Sequence, residues 1–136
     1  MSGAMSRPKS LPTPTGWLMV LTEGDDLFAE LEALAHHRNI PSASLTGFGF
    51  AGEVTFGFFY FDRREMTGIN GTLAWKDGKP SVHAHGVGCG SDFSVVGGHL
   101  LALKVGRGSL EVSITVHDTR LERREDPRIG ANILRL

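Results

Sequence analysis

From residue 43 to residue 117 the chain reads as one strand-length segment after another, and this pattern constrains its fold more than any other feature. The clearest segment is 109–117, where Leu110, Val112, Ile114 and Val116 alternate with Glu111, Ser113 and Thr115. Period-2 alternation of this kind marks a strand with one face buried. Residues 17–21, 43–48, 54–61, 65–75, 80–88 and 93–104 are of similar length and end at turn residues, notably Lys76-Asp77-Gly78-Lys79 and Gly88-Cys89-Gly90-Ser91-Asp92. Strands joined by such short turns must pair antiparallel, because a parallel pair needs a long crossover. The expected class is α+β: a mainly antiparallel β-sheet with one principal α-helix packed on it.

That helix follows Thr22-Glu23-Gly24. Asp25 and Asp26 supply capping oxygens and negative charge at its N-terminus. Leu27, Leu31 and Leu34, with Phe28 and Ala35, form an apolar stripe at helical spacing, and His36, His37 and Arg38 suit the last turn. Asn39 and Pro41 stop it. The chain's 136 residues suffice for one domain with a sizeable core. Residues 1–15, with Pro8, Pro12 and Pro14 among Ser and Thr, read as a disordered leader, leaving 16–136 as the domain.

Composition narrows the function. No apolar run approaches the ~20 residues that span a membrane, and no hydrophobic stretch near the start resembles a secretory signal. A lone cysteine, Cys89, cannot form an intrachain disulfide, which suits a reducing cytoplasm. It reads as a bystander thiol in a turn. The formal charge of −1 is spread as a mildly basic N-terminus, an acidic middle and an arginine-bearing C-terminal run from residue 120. This is no footprint for a phosphate backbone, and the C-terminal arginines read as a solvated or subunit-pairing surface.

Three histidines carry the chemistry. In Val82-His83-Ala84-His85-Gly86 the two imidazoles are two residues apart, so a strand aims both from one face. A hairpin turn centred near Ser91 brings His99 of Gly97-Gly98-His99-Leu100 opposite His83 and Gly97 opposite His85, where it leaves room for a ligand or metal. Any one of these residues alone reads best as a hydrogen-bonded structural histidine. The three together, His83, His85 and His99, form a candidate site for a divalent metal such as zinc, with a fourth position open. His117 ends its strand with no evident partner.

Two further segments need weighing. Gly47-Phe48-Gly49-Phe50-Ala51-Gly52 matches G-x-G-x-x-G, but a dinucleotide site requires a helix to follow it. Strand-forming aromatics follow instead, so a glycine-hinged turn or bulge is expected and no nucleotide cofactor. Read as one strand, 54–61 sends Val54, Phe56, Phe58 and Tyr60 to one face and Phe59 and Phe61 to the other. One helix cannot cover both faces, so part of this surface is expected to meet another subunit.

Taken in order, several motifs resemble those of a known family. They are Gly24-Asp25-Asp26-Leu27 opening the helix, Thr46-Gly47-Phe48-Gly49, and Glu65-Met66-Thr67-Gly68-Ile69-Asn70-Gly71. Lys76-Asp77-Gly78-Lys79-Pro80 running into His83-Ala84-His85, then Gly97-Gly98-His99-Leu100, complete the series. The family is the PPC domain, named for plants and prokaryotes, and the resemblance spans residues 17–136. It implies a homotrimer of sheet-and-helix subunits in which His83, His85 and His99 correspond to the family's histidine cluster. Plant members carry the domain beside AT-hooks. Bacterial and archaeal members stand alone, often labelled DNA-binding, without a settled biochemical role. This chain departs from the pattern at Asp25, where Glu is usual, in a shorter stretch between Tyr60 and Glu65, and in Met66-Thr67-Gly68-Ile69. It also has no Arg-Gly-Arg-Pro core of an AT-hook; Arg7-Pro8-Lys9 lacks the glycine and the preceding arginine of a minor-groove clamp.

Three functions follow as expectations. The first is a binding or regulatory module with metal in the histidine pocket. The second is a small metal-dependent enzyme, for which Glu53, Glu65 and Glu111 are possible general bases that nothing in the sequence places beside the histidines. The third is DNA binding through basic surface assembled by trimerisation, with the arginines of residues 120–128 repeated three times.

Overall fold

The computed structural model describes residues 8–136. In chain order the elements are β1 (Ser10–Thr13), β2 (Gly16–Thr22), α1 (Leu27–His37), β3 (Ser42–Phe56), β4 (Phe59–Lys76), β5 (Lys79–Cys89), β6 (Val95–His117), β7 (Glu122–Asp126) and β8 (Ala131–Arg135). Every strand pairing is antiparallel except a single parallel bridge between Trp75 of β4 and Glu122 of β7. The strands run β1-β2-β6-β3-β4-β7-β8, and β5 pairs with both β4 and β6. Strands β3, β4, β5 and β6 therefore close a circuit of pairings, which removes the free edges that a histidine-bearing β5 would otherwise present.

The helix forms as its sequence dictates. Asp26 caps it, its Oδ1 accepting from Ala29 N at 3.0 Å, while Asp25 Oδ2 accepts from Thr22 N at 2.9 Å and secures the preceding turn. Leu27, Leu31, Leu34 and Ala35 are buried in one core cluster with Met19 and Leu21 of β2, Leu45 of β3, Leu73 of β4 and Leu110, Val112 and Ile114 of β6. Each large aliphatic side chain so buried contributes roughly 1.5–3 kcal/mol. Asn39, at φ +48, ends the helix in the left-handed region.

Between strands, Asp77 and Gly78 both take positive φ (+51 and +77), the two-residue turn that matches strand twist, and Lys76 pairs with Lys79. The glycine-rich G-x-G-x-x-G stretch lies inside β3 and opens no helix. Its register slips against β4 between Gly47 and Gly49, and against β6 between Gly49 and Ala51 and again between Ala51 and Glu53. These are the expected bulges.

Several expectations are corrected. The segment 54–61 is no single strand: Gly57 (φ +55) and Phe58 form a hairpin tip between β3 and β4, with Phe56 paired to Phe59. The doubly apolar face read from it does not exist as such. From Val95 on, 93–104 joins 109–117 in one long strand, β6, whose pairing with β3 jumps register between Val105 and Leu110. Of the expected leader, residues 1–7 lie outside the described residues, whereas Ser10–Thr13 forms β1 against β2. Proline restricts this segment without barring it from an edge strand. The C-terminal arginine run forms the β7–β8 hairpin, and Arg123 in it is only 4% exposed. No helix among the described residues is long and apolar enough to cross a membrane.

Candidate metal centre

Strand β5 alternates strictly through the site. Ala84, Gly86 and Gly88 are buried, while His83, His85 and Val87 are exposed on the other face. The β5–β6 connection sets where His99 lands. Cys89 pairs with Val95, and Gly90 N donates to Ser94 O at 2.9 Å, so the loop is centred on Asp92. His99 consequently lies opposite His85, two residues from the register read from the sequence, and Gly97 lies opposite Val87. A slip of two preserves the face, so the trio stays together.

The His83–His85, His83–His99 and His85–His99 ring centroids are 5.2, 5.0 and 5.4 Å apart. One ring nitrogen from each lies within 4.8 Å of the other two. Nitrogens on a tetrahedral zinc at 2.0–2.1 Å would stand about 3.4 Å apart, so small ring rotations suffice to converge them. No other group of three His, Cys, Asp or Glu side chains is so disposed among the described residues. Three neutral imidazoles form a donor set that suits zinc or a similar borderline ion.

Three neighbours were not apparent from sequence. Asn70 pairs with His85 and Thr72 with His83 across β4 and β5. Arg123 reaches the same place from β7: its Nη2 donates to Thr72 O at 2.8 Å and Thr72 Oγ1 at 2.7 Å, and its Nε to Ser81 Oγ at 3.2 Å. Within the run Glu122-Arg123-Arg124-Glu125-Asp126 no local pattern distinguishes the one arginine that turns inward. His83 is exposed as a residue, yet crowding desolvates its ring. That burial, then the fields of His99, Arg123 and His85, hold its pKa below the ordinary 6.5. The neutral form, which can ligate a metal, is thereby favoured.

The other sequence candidates lie elsewhere. Glu53, Glu65 and Glu111 line three separate clefts, none shared with the histidines. His36 and His37 are exposed at the end of α1. His117 does have a partner, its Nε2 lying 2.9 Å from Ser44 Oγ. Cys89 is half-buried at the end of β5.

A closed antiparallel circuit of strands thus carries a surface trio of imidazoles. A family model, the Plants and Prokaryotes Conserved (PCC) domain, matches residues 10–118. The chain belongs to that family. It is 48% identical to a protein from Ralstonia eutropha JMP134 described as a "Putative DNA-binding protein"; the match covers 94% of this chain and 96% of that one, with a TM-score of 0.91. A plant- and prokaryote-conserved protein from Pyrococcus horikoshii shares the fold at 22% identity, covering 97% and 99% of the two chains, with a TM-score of 0.74. A protein from Archaeoglobus fulgidus described as metal-containing also shares it, at 24% identity, 88% and 91% coverage and a TM-score of 0.74. No curated protein matches the chain.

Proposed function

We propose that the protein is a binding or regulatory module that holds a divalent metal, zinc in the first instance, on His83, His85 and His99, and that it works as a homotrimer in the cytoplasm. The convergence of three imidazole nitrogens within 4.8 Å carries this reading. Bound there, the metal would supply a Lewis-acidic centre with a coordination position open for a ligand. The chain's own contribution is orientation: β5 and β6 fix two backbones, and the His83 environment favours the neutral ring. Trimerisation is supported by the aromatic β3–β4 tip, where Phe58, Phe59 and Tyr60 are 101%, 71% and 57% exposed. This tip borders the site, since Gly57 N donates to His99 O at 2.8 Å.

Zinc titrated calorimetrically into chelator-treated protein tests the site. The expected result is saturable binding that weakens at least about a hundredfold in His83→Ala/His85→Ala. Unchanged binding in the double variant rejects the assignment. Occupancy should also fall below about pH 6, where imidazoles protonate.

DNA binding is a second reading, favoured by the description of the 48% identical relative. Without an AT-hook it must rest on phosphate contacts, so gel shifts should weaken steeply with salt. Absence of any shift at about 50 mM salt rejects it.

A further inference from the structure

We propose that a cavity on the far side of the β5–β6 loop from the histidines binds a phosphorylated, ring-bearing small molecule of nucleoside monophosphate chemistry. The cavity lies where β3 and β6 lose their regular pairing. β3 slips register twice against β6 between Gly49 and Glu53, leaving Phe50 and Gly52 out of the ladder, and Gly108 of β6 takes φ +106. The resulting cleft holds about 620 Å³, within the range of small-molecule sites. At its edge Gly52 and Gly106 pack backbone against backbone, since a Cβ on Gly106 would stand 2.9 Å from Gly52 N.

Three arginines face this cleft, Arg63, Arg64 and Arg107, and none is in an ion pair among the described residues. Arg64 is fixed in place, its Nη1 donating to Asp62 O at 2.9 Å and Arg63 O at 3.0 Å, with Cζ 5.0 Å over the Phe61 ring. Its Nε is buried with no hydrogen-bond partner, the one such side-chain atom among the described residues. That atom is shut off from solvent, so an anion in the cleft would meet the guanidinium at Nη2, which donates to no acceptor among the described residues. Arg63 sits at φ +24, a backbone that side chains rarely adopt, and such strain persists chiefly at functional sites. Planar guanidiniums recognise phosphate oxygens in pairs, which compact ammonium groups do not.

The rest of the lining identifies what the phosphate is attached to. Glu23 and Glu65 share the cleft without pairing to the arginines, so they can accept from hydroxyl or amino groups. Phe50, 47% exposed, offers a flat apolar face to a ring. No lining residue belongs to the histidine trio, and Cys89 at the cleft is four residues, about 13 Å of strand, from His85.

The test is calorimetric titration of the full chain with AMP, and in parallel with adenosine and inorganic phosphate. AMP should bind saturably, at least tenfold tighter than either fragment. Arg107→Glu and Arg63→Gly should each weaken AMP at least tenfold, whereas His99→Ala should not. Arg63→Gly removes the guanidinium at a position where glycine relieves strain, so its fold is expected to persist. No AMP binding at about 1 mM overturns the proposal. So do equal affinities for phosphate and AMP, or insensitivity to both arginine changes. In the unaltered protein, AMP should also shield these arginines from phenylglyoxal; equal labelling with and without AMP contradicts the assignment.

Discussion

At the residue scale, the site depends on which face a side chain takes, and alternation makes that legible. Spacing alone places His83 and His85 on one face, and in the structure their rings stand 5.2 Å apart there. The partner register was less legible, because Gly88-Cys89-Gly90-Ser91-Asp92 contains several possible loop centres. The hydrogen bond from Gly90 N to Ser94 O, with Phe93 at φ +65, chooses the longer loop. Arg123 was not legible at all, since its burial depends on Thr72 and Ser81, 51 and 42 residues away. Gly49 shows how narrowly a residue can be specified. At φ +140, its Cβ would lie 2.2 Å from Ser109 O, against backbone rather than a movable side chain. Gly49→Ala should cost about 2–4 kcal/mol, measured by urea unfolding. A loss below about 0.5 kcal/mol would show that the bulge relaxes freely.

At the element scale, α1 was the most readable part of the chain. Its cap, stripe and stop all act locally, and Asp26 binds Ala29 N as expected. Asp26→Ala should lower stability by about 1 kcal/mol, read as a drop of a few degrees in the melting midpoint. The preceding Asp25 adds a pH signature. Burial raises its pKa, but the Thr22 backbone N–H and the Lys9 ammonium outweigh that and set it below 3.8. The folded state thus holds this proton less tightly than the unfolded chain, so the ionised carboxylate stabilises above 3.8 and the contribution fades as pH falls through the depressed value. Asp25→Asn should therefore lose about 1 kcal/mol at neutral pH, with the gap to the parent closing in acid. A pH-independent gap would assign the effect to packing. The strands were harder to delimit. Both the Phe56–Phe59 pairing and the register jump between Val105 and Leu110 depend on tertiary pairing, and in the aromatic run 54–61 the lone Gly57 is a weak mark of its turn.

At the scale of the whole molecule, the closed circuit of β3, β4, β5 and β6 makes a rigid frame for the imidazoles and leaves the aromatic hairpin tip outside it. A protein of this size does not usually expose adjacent aromatic side chains without covering them in an assembly. Sedimentation equilibrium should give three times the 14.7 kDa chain mass, and Phe58→Ser should shift the population toward smaller species. A monomer in the unaltered protein would remove the trimer from the account. The metal is the more direct matter. Elemental analysis of protein purified without chelators, then saturated with zinc and dialysed, should find one metal ion per chain, and none above background in His83→Ala/His85→Ala. Protein that emerges metal-free, or a variant that retains its full complement, would contradict the central claim.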